Sequence, residues 1–170
     1  ADLVSHANGR WFPDSKRVLF SGNESAKGTR LYMQDITGGA PQAVTSEGYQ
    51  EGFASSDGEF ILARGSDGKY VVLPIAGGEP KPTPLARPDL VVHWCADGRS
   101  VLSYREGEMP CRIERVDLET GQRELFREIA PLDRTGLLSV TPTFVTDAQP
   151  SYVYAVSRIL SSLFVSESSP

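Results

Sequence analysis

Trp94-Cys95-Ala96-Asp97-Gly98-Arg99-Ser100-Val101-Leu102-Ser103 reads as the end of one strand, a tight turn and the start of the next. Asp and Gly both tolerate positive φ, so Asp97-Gly98 is a two-residue hairpin signal of the type I′ kind. The same unit recurs on either side, as Trp11-Phe12-Pro13-Asp14, Ala54-Ser55-Ser56-Asp57 and Phe144-Val145-Thr146-Asp147. Successive Asp residues are separated by 43, 40 and 50 positions. That interval is the length of one four-stranded propeller blade.

Four residues after three of the Asp come Val18, Ile61 and Val101, and two further on Phe20, Ala63 and Ser103. Such alternation marks a strand with one face turned inward. In the fourth copy Tyr152 and Tyr154 keep the alternation one position late, which predicts a turn one residue longer after Asp147. A second punctuation mark falls at a common phase, where Gly38-Gly39, Gly77-Gly78 and Thr120-Gly121 close the runs Leu31 to Ile36, Tyr70 to Ile75 and Ile113 to Leu118. The segments that follow, Pro41 to Thr45, Pro80 to Leu85 and Arg123 to Arg127, are short and polar. Proline lacks a ladder donor and belongs on an edge strand. The unit is therefore four antiparallel strands, running from an inner strand that ends at the Asp turn to a polar outer one.

The fold class expected is all-β, a β-propeller of four-stranded antiparallel blades with about four blades present. A single domain over 1–170 divides into blades at about 1–46, 47–86, 87–128 and 129–170. The fourth repeat ends near Val165 and leaves only Ser166 to Pro170 for an outer strand, while only Ala1 to Ser5 precede the first inner strand. Closure within the chain would be tight, which points to part of a larger propeller, with a self-sealed four-bladed ring as the alternative. The first residue is Ala1 rather than Met, consistent with a processed or excised piece.

Composition excludes several classes. With 39% hydrophobic and 23% charged residues the chain is ordinary globular protein. No apolar run approaches the roughly 20 residues that span a bilayer. A net charge of −5 argues against nucleic acid or an anionic membrane as the main partner, since both demand a basic patch. Cys95 ends an inner strand and Cys111 opens a third strand, at opposite ends of one blade, so two free thiols are expected.

No catalytic constellation or cofactor motif is present. The only histidines are His6 and His93, and no Gly-x-Ser-x-Gly elbow accompanies them. Metal motifs of the Cys-x-x-Cys, His-Glu-x-x-His and Asp-x-Asp-x-Asp-Gly kinds are missing. His93, beside Trp94 on an inner strand, reads as a hydrogen-bonded structural histidine. Asn23-Glu24-Ser25 is a formal glycosylation acceptor in a segment expected to be a loop.

Trp11 to Phe20, followed by Gly28 to Gly39 and the Val-Thr ending at Thr45, resembles the TolB-type, WD-like β-propeller repeat. Nearly the whole chain is covered by the resemblance. Related repeats occur in periplasmic TolB, in the propeller halves of prolyl-oligopeptidase-type peptidases and in sensor portions of bacterial membrane Ser/Thr kinases. The tail Tyr152 to Val165 is similar to the last blade of the kinase-linked group. The resemblance implies a bacterial protein in a periplasmic or other extracytoplasmic setting, and a scaffold that binds partners through its loops.

The loops expected on one face are Ser21 to Thr29, Arg64 to Lys69, Arg105 to Pro110 and Ile129 to Gly136. Binding residues concentrate in such loops on a rigid scaffold. Arg64 and Arg105 leave their second strands at nearly equivalent positions and are the candidate binding residues, placed to receive an acidic group. The expected function is a noncatalytic binding or sensor module for a protein or peptide on this loop face. Two alternatives are the propeller portion of a multidomain enzyme, either kinase or peptidase, and a self-assembling module that forms a homodimer or higher oligomer through open sheet edges.

Overall fold

Three interblade cores of apolar side chains organise the molecule, and each lies between two sheets rather than inside one. The computed structural model describes residues 3–148 and 151–161. The expected end of the fourth repeat near Val165 and its outer strand in 166–170 lie outside the described residues. Among the described residues the chain forms fourteen strands and no helix. β1 (Leu3–Trp11), β2 (Arg17–Glu24), β3 (Arg30–Asp35) and β4 (Gln42–Ala43) make blade 1. Blade 2 is β5 (Tyr49–Ala54), β6 (Phe60–Gly65), β7 (Lys69–Pro74) and β8 (Lys81–Ala86). Blade 3 is β9 (Asp89–Trp94), β10 (Ser100–Arg105), β11 (Cys111–Asp117) and β12 (Arg123–Ile129). Blade 4 is represented by the hairpin β13 (Leu137–Val145) and β14 (Tyr152–Arg158).

Within each sheet neighbouring strands are antiparallel and consecutive, so the side-chain period of two sends alternate residues toward the preceding and following blades. Ala54 pairs with Ile61 and Trp94 with Val101, and both pairs face the preceding blade. One residue earlier, Phe53 pairs with Leu62 and faces blade 3. Phe12, Leu19, Leu31, Ile61 and Leu73 fill the seam between blades 1 and 2. Phe53, Leu62, Tyr70, Trp94 and Val101 fill the next. Leu102, Ile113, Val140 and Val145 fill the third. Cys95 and Cys111 are free and fully buried in that same third seam.

The Asp turns differ from the type I′ geometry. Gly58 and Gly98 have φ of 73° and 70°, whereas Asp57 and Asp97 are not in the left-handed region. Each loop is longer than two residues, with the Ser55 amide donating to the Phe60 carbonyl and the Gly58 amide to the Ser55 carbonyl, both at 2.9 Å. The carboxylate explains the repeated Asp. Asp97 Oδ1 accepts the amides of Arg99 (3.0 Å) and Ser100 (2.9 Å), and Asp14 Oδ1 those of Lys16 (2.8 Å) and Arg17 (3.1 Å). Asp57 Oδ1 likewise accepts the Glu59 amide at 2.9 Å. These are Asx turns, in which the side chain replaces a backbone acceptor. In blade 1 Ser15 takes the glycine position at φ 55°.

The fourth copy is out of phase. Val145 pairs with Tyr152 just as Trp94 pairs with Val101 and Trp11 with Val18. The connection after β13 is therefore no longer than the others, and the expected extra turn residue is absent. A register shift between Pro142 and Phe144 precedes it. Val145 thus occupies the place of Trp94, Phe144 that of His93, and Asp147 that of Ala96. Two smaller expectations also move. The first inner strand already begins at Leu3, and β2 runs to Glu24, so Asn23 lies in a strand rather than a loop.

Candidate functional site

The inner strands β1, β5, β9 and β13 converge on a cleft of about 680 Å³ at the ends where the Asp turns lie. Its walls include Arg10, Trp11, Phe53, His93, Phe144 and Asp147. Trp11 and Phe144 are 63% and 56% exposed, while Phe53 is buried. Rigid strands therefore hold two large apolar side chains open to water. At the matching positions of blades 3 and 2, Trp94 and Phe53 are buried.

Two polar devices flank these rings. The Arg10 guanidinium lies 3.9 Å from the centre of the Phe53 ring and donates from Nη2 to Glu51 Oε1 at 2.8 Å. Arg64 Nε donates to the other oxygen of Glu51 at 3.3 Å. One carboxylate thus holds two guanidiniums, one from blade 1 and one from blade 2. At the second device His93 Nε2 lies 3.1 Å from Asp147 Oδ1, and the Ala96 amide donates to Asp147 Oδ2 at 3.0 Å. Arg115 stands 3.7 Å from Asp147 and 3.2 Å from Asp97. Burial works against ionisation of Asp147, but the Ala96 amide and His93 more than offset it and hold its carboxyl below the ordinary 3.8. His93 is thus hydrogen-bonded, as expected, and its partner lies across the seam between blades 3 and 4.

Arg64 and Arg105 sit at the other end of the axis. Arg64 lines a smaller cavity of about 210 Å³ with Arg10, Glu51, Tyr104 and Thr143. Burial pushes the Tyr104 hydroxyl up to about 12, so it stays a neutral donor there. Arg105 Nε reaches Asp89 Oδ1 at 3.3 Å, and Arg123 clamps both oxygens of Asp89 at 3.1 and 2.6 Å. The two arginines are not at equivalent places as the sequence suggested: with Ile61 aligned to Val101, Arg64 matches Tyr104 and Gly65 matches Arg105, so the two side chains leave opposite faces of their blades, although each pairs with an inner-strand carboxylate. They differ in access, since the Arg64 side chain is 13% exposed and that of Arg105 47%.

Sequence reasoning missed Arg10, Glu51, Asp89 and the partner of His93. Their ion pairs join residues 16, 34, 41 and 54 positions apart, and no local pattern announces such pairs. Among the described residues no group of three or more His, Cys, Asp or Glu is placed to hold a metal ion.

No protein-family model matches the chain, and no curated protein does. Solved structures do. A putative TolB from Agrobacterium tumefaciens is 20% identical, with 72% of this chain and 46% of that chain covered and a TM-score of 0.55. Oligogalacturonate lyase from Vibrio parahaemolyticus is 16% identical, with 75% and 42% covered and a TM-score of 0.54. The β-propeller domain of the trilobed protease from Pyrococcus furiosus, described as having an open velcro topology, is 13% identical, with 91% and 54% covered and a TM-score of 0.52. The chain spans about half the length of these structures or less. Together they show a TolB-type β-propeller fold, present here as part of a propeller.

Proposed function

We propose that this chain is a noncatalytic β-propeller binding module that takes a protein or peptide partner along its axis and the adjoining loop face. One observation carries the reading: the inner strands hold Trp11 and Phe144 exposed in a single cleft whose remaining wall offers Arg10 and the Asp147 carboxylate. Flat apolar rings beside a cation and an anion suit an extended peptide, which presents apolar side chains and both signs of hydrogen-bonding group.

The reading predicts a pattern in a displayed-peptide selection on the folded chain. Peptides selected on the native chain should bind at least about tenfold more weakly to an Arg10→Ala variant, the loss of about 1.4 kcal/mol that a charged contact supplies. Arg105→Ala should weaken only partners that reach the loop face. Unaltered affinity in both variants would overturn the site assignment.

A second reading has its own support. The neighbours include a propeller domain of a protease and a lyase, each longer than this chain. The chain as the propeller portion of a multidomain enzyme accords with that length difference. An extracytoplasmic setting accords with the likeness to TolB. A compartment-reporting fusion to the native gene product tests it, because a cytoplasmic signal would exclude it.

A further inference from the structure

The cleft continues past Arg10 into the smaller cavity, since Arg10, Val92 and Thr143 wall both. Arg64 and Tyr104 stand at matching positions of β6 and β10 and both line that cavity, so consecutive blades each bring one polar side chain to it. Both have donors to spare. Arg64 meets Glu51 through Nε alone, and its two terminal amino groups have no acceptor among the described residues. Tyr104 is only 7% exposed, and its hydroxyl has no hydrogen-bond partner among the described residues either. A buried hydroxyl left unpaired is costly, so an acceptor entering the cavity is favoured.

Charge specifies the acceptor. The charged groups lining the cavity are the Arg10 and Arg64 guanidiniums and the single Glu51 carboxylate that both already share. One positive charge is left over, in a space where the Arg64 and Glu51 side chains are mostly buried. An uncompensated charge away from water is destabilising, so the cavity favours an anion. The free edge of a guanidinium offers two parallel N–H donors that fit both oxygens of a carboxylate, and the Tyr104 hydroxyl supplies a further donor. At about 210 Å³ the cavity is smaller than the roughly 300–1,000 Å³ that encloses a whole small ligand, so it suits one group of a longer partner. We propose that this cavity is a carboxylate site, and that a peptide lying in the cleft places a chain end or an acidic side chain in it. Only the identity of that partner rests on the peptide-binding reading.

Propionate probes the site without any peptide, titrated into the folded chain and followed by the arginine Nε–H signals in proton–nitrogen spectra. The Arg64 signal should shift and saturate, and chloride at equal ionic strength should not reproduce the shift. Tyr104→Phe keeps the ring and removes only the donor, so it should weaken propionate binding at least about fivefold. Arg64→Lys keeps the charge but gives up the paired donors, and should weaken it as well. No saturable shift, a shift that chloride reproduces, or native affinity in both folded variants overturns the proposal. Synthetic copies of the selected peptides then assign the source of the carboxylate. Amidating the C-terminus should weaken binding at least about tenfold where the chain end enters, and replacing Asp or Glu by its amide should do so where a side chain enters. Peptides that bind and are indifferent to both changes overturn the proposal and leave the peptide reading standing. Propionate binding with no peptide selected would overturn the peptide reading and leave the carboxylate site standing.

Discussion

Asp147 accepts a hydrogen bond from the Ala96 amide and pairs with His93, so this repeat-like Asp fastens blade 4 to blade 3. Its carboxyl lies below the ordinary 3.8 in the folded chain. A depressed carboxyl contributes stability that is present above its unfolded value and lost as pH falls through the folded one.

Asp147→Asn should therefore cost about 1–2 kcal/mol at neutral pH, the range for hydrogen bonds to a charged group. The difference from the native chain should shrink as pH drops from 7 to about 3, below the unfolded carboxyl value. Urea unfolding at the two pH values reads it directly. A difference independent of pH would mean that the charge contributes nothing.

Trp94 and Trp11 share a position and differ tenfold in exposure, 6% against 63%. Truncating a buried aromatic costs about 3–5 kcal/mol, so Trp94→Ala should shift the unfolding midpoint by that amount. Trp11→Ala, read at concentrations below any self-association, should stay within about 0.5 kcal/mol, as surface changes do. Trp94→Phe should lose less than Trp94→Ala, because the indole nitrogen is buried without a hydrogen-bond partner. Equal losses for the two tryptophans would contradict the inner-strand register.

The turn glycines differ from their Asp neighbours in what they require. Gly98 sits at φ 70° with open space where a Cβ would stand, so only backbone strain opposes a side chain. Gly98→Ala should cost about 1–2 kcal/mol, the left-handed penalty for an L-residue. Asp97→Ala should cost a similar amount for a different reason, the loss of two capped amides, and only the Asp97 effect should diminish at low pH. Denaturant midpoints at two pH values separate the two mechanisms.

The propeller was legible because its signals are local. Asx turns, glycine hairpins and alternation are each written within a few residues, and they recur at a fixed interval. Phase across the fourth copy was not legible, since Asp147 imitates the repeat while the shift between Pro142 and Phe144 lies upstream of it. Of the residues singled out in the sequence, His93 lines the cleft and Arg64 the smaller cavity, whereas Arg105 lines neither; all three lie within strands. Arg10 and Glu51 meet only when two blades pack, so their pairing is a property of the ring rather than of any segment. Gly52 is similar, because the sequence shows an ordinary strand glycine and the fold shows a crowded seam.

A Cβ on Gly52 would stand 2.6 Å from Leu31 Cδ1 and 2.9 Å from Leu19 Cδ2, both fixed in the seam between blades 1 and 2. Inserting a methyl into such packing costs about 1–3 kcal/mol. Gly52→Ala should be destabilised by that amount, and Gly52→Ala combined with Leu31→Val should recover part of the loss if crowding is the cause. Additive losses in a double-mutant cycle would point to backbone strain instead.

Cys95 and Cys111 share one apolar seam without a bond between them. Burial pushes the Cys111 thiol up to about 11 and raises that of Cys95 as well. Since the thiolate is the reactive form, neither should alkylate appreciably in the native chain at pH 8. Silence toward iodoacetamide therefore does not indicate a disulfide here. In concentrated guanidinium without reductant both thiols should add the reagent, giving a mass gain of two adducts. A chain that gains none after unfolding would hold a bridge, and the two-thiol assignment would fall with it.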